Sequence, residues 1–321
     1  MTRILVTGSS GFVGNSLVEQ LSLHNELNLA VLVRQSPITL REGVDYYIFS
    51  DFSEIGVGHQ SLVNVDVFIH LASRVHVMND TAADPLAAFR AINVEYTLNL
   101  ARNAAAAGIK RFIFVSSVKV NGEGTPPGCP YKETDTPNPV DFYGISKLEA
   151  EEGLRLIAAE TGMEVVIIRP VLVYGPGVKA NFENMMRWLQ KGVPLPFGAI
   201  QNQRSLVGLD NLVDMIQTCI NHPAAANETF LVSDGEDVST SQLLRKLGTA
   251  LNCPPRLIPV PEWLLIAGAT LLGKKSLSQR LCGSLQVDIT KARQMLGWQP
   301  VLTLDQALRK TAEHFISEQN Q

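Results

Sequence analysis

The stretch Thr7-Gly8-Ser9-Ser10-Gly11-Phe12-Val13-Gly14 decides the fold. It overlaps the end of a β-branched run, ILVTG at 4–8, and places glycines at positions 8, 11 and 14. Gly8 permits a tight turn, Gly11 lets the backbone approach a pyrophosphate, and Gly14 lets a helix pack closely on the strand. Free N–H groups at the start of that helix would face the phosphates. The stretch predicts a dinucleotide-binding turn, because it lies at the first strand–helix junction of the chain.

Short apolar runs alternate with longer helical patterns through the first half of the chain. The predicted strands are ILVTG (4–8), AVLVR (30–34), DYYIF (45–49), DVFIHLA (66–72), RFIFVSS (111–117) and EVVIIRP (164–170), and the predicted helices between them include 12–23, 84–107 and 142–161. Continuous apolar strands are typical of a parallel sheet that is covered on both faces. We therefore predict a Rossmann-type, doubly wound α/β fold, with a dinucleotide-binding domain in residues 1–170.

The rhythm changes after Pro170. Shorter elements follow, separated by prolines, with helices predicted near 210–221, 239–251 and 304–318. We predict that residues 171–321 form mainly a smaller C-terminal α/β substrate-binding domain. Some segments, at about 204–232, are expected to return to the main sheet.

Composition excludes several classes of protein. A net charge of −4 leaves no basic footprint for nucleic acid. Four scattered cysteines without a C-x-x-C pair indicate reduced thiols, and six histidines without ligand spacing give no metal site. The first predicted strand begins at Ile4, which leaves no room for a signal peptide. We therefore expect a cytoplasmic protein with no integral membrane segment.

One strongly apolar stretch, WLLIAGATLL at 263–272, stands out in the second half. It is about half the length of roughly 20 residues that a membrane-spanning helix needs. We expect a helix that is buried against the small domain. The alternative is a surface that contacts a membrane or a partner.

The end of the second predicted strand carries Arg34 and no acidic residue. An acid there would bind the ribose hydroxyls of NAD, whereas an arginine can bind the 2′-phosphate of NADP. Arg34 therefore slightly favours NADP(H), with NAD still possible, although it is also compatible with a solvated surface arginine. Asp51, after the third strand, is placed either to accept the adenine amino group or to lie in an exposed loop.

A tyrosine and a lysine at helical spacing point to acid–base chemistry. Tyr143-Gly144-Ile145-Ser146-Lys147 opens a predicted helix, and this spacing places the phenol and the ammonium on one face. The ammonium, with the charge of an oxidised nicotinamide, would lower the phenol pKa from about 10. Tyr143 could then exchange a proton with a sugar hydroxyl. Ser116 and Ser117, at the end of the fifth predicted strand, are placed to hydrogen-bond the same oxygen.

Together these motifs resemble the extended short-chain dehydrogenases/reductases of the NAD-dependent epimerase/dehydratase family. The resemblance runs nearly end to end, through HLAS (70–73), Asn93, FVSS (114–117), YGISK (143–147), RPVLVYGPG (169–177), RSLVGLDNLV (204–213) and DITKARQMLGWQP (288–300). SSVKVNGEG (116–124) and GVKANF (177–182) are similar to the UDP-glucose 4-epimerase-like subgroup. Members of that subgroup often belong to bacterial surface-polysaccharide pathways.

The resemblance implies a role for each matching residue. Ser117, Tyr143 and Lys147 are implied as catalytic, and the implied substrate contacts are Ser117, Tyr143, Asn181 and Arg204, of which the last two could instead be structural. Lys119 is a further candidate substrate contact. The implied cofactor contacts are Gly8, Ser10, Gly11, Phe12, Val13, Gly14, Arg34, Asp51, Phe52, Leu71, Ala72, Ser73, Asn93, Ser116, Tyr143, Lys147, Pro170 and Val173.

Two departures from the family pattern lie beside the expected sugar site. Many relatives have V-Y-G where this chain has Val120-Asn121-Gly122, and they often have threonine where this chain has Lys119. Lys119 could contact an anionic or acylated sugar or point to solvent.

Two activities at C4 of a UDP-hexose-type substrate remain open, with a non-catalytic cofactor-binding scaffold as a distant third. The resemblance implies a UDP-sugar 4-epimerase, and Arg34 favours an NADPH-dependent UDP-4-keto-6-deoxy-HexNAc reductase. A dehydratase is disfavoured, because Val118 and Lys119 stand where that pattern has an Asp-Glu pair. Relatives commonly form homodimers, for which 84–107 and 142–161 are the candidate helices.

Overall fold

The computed structural model describes residues 1–36, 40–75, 84–271, 273, 279 and 281–319. Its central element is a seven-stranded sheet composed of β1 (Thr2–Thr7), β2 (Leu27–Val33), β3 (Val44–Ile48), β4 (Val67–His70), β5 (Arg111–Val115), β6 (Glu164–Pro170) and β9 (Thr229–Val232). In space the strands follow the order β3-β2-β1-β4-β5-β6-β9, and all neighbouring pairs are parallel. The order reverses direction between β1 and β4, and ligands of such sheets bind in the crevice at that point.

The six strands predicted from the sequence are all present, with shifted ends. β2 begins three residues earlier than predicted, at Leu27, where it pairs with Thr2. β5 ends at Val115, so Ser116 and Ser117 lie in the connection that follows the strand.

Helices cover both faces of the sheet. On one face, α1 (Phe12–Ser22) and α6 (Leu209–Asn221) bury their apolar sides against alternate residues of the strands. On the other face, α3 (Thr97–Ala106) and α4 (Phe142–Thr161) do the same with the remaining strand residues. Since successive side chains of a strand point to opposite faces, a sheet with two apolar faces requires this double cover. The prediction of a Rossmann-type doubly wound fold is confirmed.

The helix predicted over 84–107 consists of three parts. α2 (Pro85–Arg90) starts at Asp84, whose side chain accepts a hydrogen bond from the Ala87 N–H at 3.0 Å. A π-helical turn (Ala91–Tyr96) follows and leads directly into α3. The apolar pattern cannot distinguish such a turn from a continuous α-helix, because the difference lies in the backbone hydrogen bonds.

A second, three-stranded sheet lies in the C-terminal half. It consists of β7 (Leu172–Tyr174), β8 (Arg204–Gly208) and β10 (Asp237–Val238), in the order β10-β8-β7. Tyr174 and Leu206 from this sheet share one buried cluster with the helices α5 (Ala180–Gln190), α7 (Thr240–Ala250) and α10 (Leu304–Gln319). A shorter helix, α9 (Thr290–Leu296), packs beside β9.

The apolar stretch at 263–272 forms a helix, α8 (Glu262–Leu271), with Leu272 outside the described residues. The prediction that this helix is buried was wrong: none of its ten residues is buried, and Trp263 is 66% exposed. Apolar residues lie on all sides of α8, so their spacing gave no indication of which side would be covered. Among the described helices, none is both long and apolar enough to cross a membrane.

Candidate active site

The glycine loop joins β1 to α1 at the crevice between β1 and β4. Gly8 has a φ of +75°, and a Cβ there would lie 2.6 Å from the Ala72 N atom that follows β4. A Cβ on Gly14 would lie 2.1 Å from the Gly8 carbonyl oxygen. Both positions therefore exclude any side chain. Gly11 is the N-cap of α1 and brings no side chain to the first turn, whose N–H groups remain available to an anion.

A cavity of about 680 Å³ opens beside this loop, above the ends of β1 and β2. Its lining residues include Ser9, Ser10, Arg34 and Arg41. The Arg41 guanidinium donates to Asn15 Oδ1 at 3.2 Å and lies 3.7 Å from Glu19 Oε2. Two arginines therefore line the cavity, and the sequence had pointed to only one of them.

Asp51 lies in the loop after β3, near α3. Its carboxylate accepts hydrogen bonds from the Ser53 N–H at 2.8 Å and from the Tyr96 hydroxyl at 3.1 Å. The hydrogen bonds from Ser53 and then from Tyr96 lower the pKa of Asp51, so this carboxylate stays charged. Its adenine contact remains a prediction.

Asn93 lies in the π-helical turn and is almost fully buried. Its amide nitrogen donates to the Arg74 carbonyl and to Ser146 Oγ, both at 3.0 Å, and its oxygen accepts from the Arg74 N–H at 2.8 Å. Asn93 therefore connects the loop after β4 with α4, the helix that carries Tyr143 and Lys147. Turns of this type are frequent at functional sites.

The start of α4 is held by an ion cluster. Asp141 caps the helix by accepting from the Gly144 N–H at 2.7 Å, and it also accepts from the Lys119 ammonium. Lys119 donates in addition to Glu123 Oε1 at 2.9 Å. These two carboxylates raise the pKa of Lys119 against the opposing effect of burial. In this structure Lys119 therefore holds the first turn of α4, and Tyr143 is the second residue of that turn.

Tyr143 lies between hydroxyl groups at the carboxyl edge of the sheet. Burial raises the pKa of its phenol to about 12, and hydrogen bonds with Ser73 and Ser117 act against that rise. Its ring packs edge-on against Phe89, with the centroids 6.4 Å apart. Ser117 caps the short turn Val118–Val120, where its hydroxyl accepts from the Lys119 N–H at 3.2 Å. Tyr143, Ser117 and Ser73 therefore converge on one point.

Lys147 lies on the same face of α4, one turn after Tyr143. Its ammonium donates to the Val115 carbonyl at 2.9 Å and lies 5.9 Å from the Tyr143 ring centroid and 4.3 Å from that of Phe114. It is 1% exposed, and burial lowers its pKa to about 7. Burial therefore makes the Lys147 ammonium more acidic than that of an exposed lysine, while Glu151 acts in the opposite direction.

One further turn along α4, Glu151 forms a buried network that the sequence did not indicate. Its carboxylate accepts from Arg169 Nε at 2.9 Å and from Ser116 Oγ at 2.6 Å. Arg169 also donates to Asn121 Oδ1 at 3.0 Å. Glu151 and Arg169 are 0% and 2% exposed. The network ties β6 and the serine loop to α4, and it uses the Ser116 hydroxyl that had been assigned to the cofactor.

The predicted substrate contacts of the C-terminal half lie on two elements. Asn181 is exposed on the first turn of α5. Arg204 begins β8, and its guanidinium donates to the Gly283 carbonyl at 3.0 Å. The substrate roles of Asn181 and Arg204 stay predictions.

Three residues of the site were not found from the sequence: Arg41, Asp141 and Glu151. Asp141 carried a usable signal, since an aspartate directly before an aromatic helix start is a typical N-cap. Arg41 lies in a loop without periodicity. Glu151 follows Lys147 by four residues, which places it on the same face, but a mid-helix glutamate is usually solvated.

Comparison with known proteins agrees with this geometry. The model of the NAD dependent epimerase/dehydratase family matches residues 4–233. The chain belongs to this family. A UDP-glucose 4-epimerase from Vibrio cholerae is 49% identical over 318 residues, covering 99% of this chain and 96% of that protein.

Solved structures of the family share the whole fold. The crystal structure of a UDP-glucose 4-epimerase from Thermotoga maritima with UDP-glucose has a TM-score of 0.79 at 25% identity, covering 99% of this chain and 100% of that one. RMD from Pseudomonas aeruginosa, complexed with NADPH, has a TM-score of 0.75 at 24% identity and matches in fold, covering 99% and 100%. The family is dependent on a nicotinamide dinucleotide.

Proposed function

We propose that this chain is an NAD(P)-dependent UDP-sugar 4-epimerase that inverts the configuration at C4 of a UDP-hexose. The observation that carries this proposal is the convergence of the Tyr143 phenol with the Ser117 and Ser73 hydroxyls above the buried Lys147 ammonium. The Vibrio cholerae relative, 49% identical over 99% of the chain, supports the substrate class.

The residues of the crevice fit a nicotinamide dinucleotide. Gly8, Gly11 and Gly14 leave space beside the first turn of α1, where the pyrophosphate would be held, and the cavity beyond it suits the adenosine. Leu71, Ala72 and Ser73 follow β4 at the same edge, where they would line the nicotinamide end. A bound nicotinamide would supply a hydride acceptor for C4 and, when oxidised, a positive charge that favours the phenolate.

Tyr143 moves the proton of the sugar. Its phenol oxygen takes the proton from the 4-hydroxyl and returns it when the product alcohol forms. With a pKa of about 12, the phenol is a poor base at neutral pH, so the positive charge of a bound, oxidised nicotinamide would be needed to favour the phenolate. Ser117 donates to the same sugar oxygen and holds it near the phenol. Lys147 contributes charge and would bind the ribose.

We assign the two halves of the chain to the two ligands. Residues 1–170 carry the glycine loop and the Tyr143–Lys147 pair, so this domain would hold the cofactor. Residues 171–321 would mainly bind the substrate, with Asn181 and Arg204 directed at the diphosphate, because a guanidinium suits phosphate oxygens. Lys119 is a predicted sugar contact, and its pairing with Asp141 and Glu123 favours an indirect effect through the position of α4.

A second activity is favoured by the two guanidinium groups in the adenosine cavity. Arg34 and Arg41 both line this cavity, and an arginine at the end of β2 can bind a 2′-phosphate, which favours NADP(H). NADPH is a dissociable reductant that is consumed in each turnover, and it suits an enzyme that reduces a UDP-4-keto-6-deoxy-HexNAc. Tightly held NAD would suit an epimerase.

One set of incubations separates the two activities. The purified chain is mixed with UDP-glucose, UDP-GlcNAc or a UDP-4-keto-6-deoxy-HexNAc, with and without NADPH, and the products are separated by chromatography. Formation of the C4 epimer without added reductant supports the epimerase. If NADPH is consumed only when the keto sugar is the substrate, and no epimer forms, the result contradicts the epimerase activity and supports the reductase activity.

The same assay tests the role of Tyr143. Tyr143→Phe is expected to lower turnover by about 10²–10⁴-fold, the usual contribution of a positioned acid–base group. Tyr131→Phe is the matched control, since the Tyr131 hydroxyl donates to the Gly124 carbonyl outside the cluster. Unchanged turnover in Tyr143→Phe would show that the acid–base assignment is wrong.

A further inference from the structure

An exposed apolar surface lies far along the chain from the cofactor residues. It consists of Trp188, Val193, Ile258, Trp263, Leu264 and Ile266, which we call the apolar patch. Each of these side chains is between 39% and 66% exposed. Monomeric soluble proteins rarely expose several large apolar side chains close together without a binding role.

Backbone hydrogen bonds connect the two segments that form the apolar patch. Leu195 donates to the Arg256 carbonyl at 2.9 Å and accepts from the Ile258 N–H at 2.8 Å. Val193 lies two residues before this pairing and donates to the Trp188 carbonyl at 3.1 Å. α8 starts four residues after Ile258. The loop after α5 and the segment leading into α8 therefore form one surface.

The composition and the length of α8 limit what can cover it. Apolar residues surround this helix, and its one hydroxyl, on Thr270, donates to the Ile266 carbonyl at 2.8 Å within the helix. With ten residues, α8 is only about 15 Å long, too short to cross the roughly 30 Å core of a bilayer. A helix of this length fits in the interfacial layer of a membrane, with one side inserted.

The charges beside the apolar patch are mostly basic, although the whole chain has a net charge of −4. The charged residues there are Lys191, Arg256 and the acid Glu262, together with Arg187, which is paired with Glu183 at 2.5 Å. Lys191 and Arg256 are exposed. Basic residues beside apolar and tryptophan side chains complement an anionic lipid surface.

We propose that the apolar patch and its basic border dock this chain onto an anionic phospholipid bilayer. α8 would lie in the headgroup layer, with Trp263 and Leu264 inserted and Lys191 and Arg256 on lipid phosphates. This docking is independent of the proposed activity.

Sedimentation with vesicles tests the docking. The full chain is mixed with vesicles of phosphatidylcholine and phosphatidylglycerol in equal parts, and with vesicles of phosphatidylcholine alone. We expect binding to the first kind and weaker binding as salt is added. The double variant Trp263→Ser/Leu264→Ser should lose at least about tenfold in affinity for the anionic vesicles, because it loses two inserted side chains. Lys191→Glu/Arg256→Glu should bind only weakly to the anionic vesicles.

Leu23→Ser is the matched control, since Leu23 is 70% exposed at the end of α1, outside the apolar patch. It should bind as the wild type does. Circular dichroism confirms that each variant is folded. The proposal is overturned if the wild type binds neither kind of vesicle, or if all variants bind the anionic vesicles equally. A smaller oligomer in sedimentation velocity for Trp263→Ser/Leu264→Ser also overturns it, because the occupant would then be a second copy of the chain.

Discussion

At the scale of single residues, Glu151 is a buried carboxylate that holds both the Arg169 guanidinium and the Ser116 hydroxyl. Its carboxylate pairs with Arg169 and accepts the Ser116 hydroxyl, at 0% exposure. Glu151→Gln would leave the Arg169 guanidinium buried without its counter-charge. Breaking a buried pair in this way costs about 3–5 kcal/mol of unfolding free energy.

Urea denaturation of Glu151→Gln measures that loss. Glu152→Gln is the control, since the neighbouring Glu152 is exposed on the same helix. If both variants unfold at the same urea concentration, the buried network adds no stability.

Lys147 predicts a pH dependence of stability. Burial lowers its pKa from 10.5 to about 7, so between these values the unfolded chain binds a proton that the folded chain has released. The folded state is therefore penalised most below about pH 7, and the penalty disappears as the pH rises toward 10.5. Lys147→Met removes the penalty. The stability of the wild type should rise relative to this variant by up to about 1.4 kcal/mol per pH unit in that window.

The measurement is urea unfolding of the wild type and of Lys147→Met from neutral to alkaline pH. Lys179→Met, at an exposed lysine, serves as the control. A constant difference between wild type and Lys147→Met across the window would contradict the buried titration.

At the scale of elements, the contact between the glycine loop and α1 is the tightest of the site. A Cβ on Gly14 would lie 2.1 Å from the Gly8 carbonyl oxygen, and neither backbone can yield without moving α1. Gly14→Ala should therefore weaken NADPH binding by about tenfold or more, since overpacking costs about 1–3 kcal/mol. Fluorescence titration with NADPH gives the dissociation constant.

Gly268→Ala provides the comparison for that substitution. Gly268 is also within a helix, but a Cβ there meets open space. It should leave NADPH binding unchanged. Equal affinities of the two variants would mean that the packing at Gly14 does not position the phosphates.

Periodicity predicted the main sheet and its covering helices because both faces of a parallel sheet must be apolar. It failed where the deciding contact is not periodic. The π-helical turn at Ala91–Tyr96 differs from α-helix only in its hydrogen bonds, and α8 is apolar on every side. In the site, the sequence pointed to Tyr143, Lys147 and the glycines because their spacing is set by local geometry. It did not point to Arg41, which lies in a loop without periodicity, or to Glu151, because nothing in the spacing shows that this mid-helix glutamate is buried against Arg169.

At the scale of the whole molecule, we propose that two copies of the chain associate through α2, α3 and α4. Leu156 is 64% exposed on α4, two turns after Glu149, which forms an ion pair with Arg90 of α2. This common face suits a helix-to-helix contact. Leu156→Lys would place an ammonium in that contact and should convert the dimer to a monomer.

Sedimentation velocity distinguishes the two states. Leu23→Lys adds the same charge at an exposed leucine on α1 and should leave the dimer intact. A monomeric wild type, or a dimer that persists in Leu156→Lys, would contradict this mode of association.

The π-helical turn also determines which changes of length the chain tolerates. Each residue of an α-helix advances the side chains by about 100° around the axis. Removing one residue from Ala91–Tyr96 would rotate Asn93 relative to α3 and separate it from Ser146 and the Arg74 backbone. Point substitutions on the solvent side of this helix are harmless by comparison. We therefore infer that this segment is intolerant of insertions and deletions, so its length distinguishes functional from non-functional chains of this architecture.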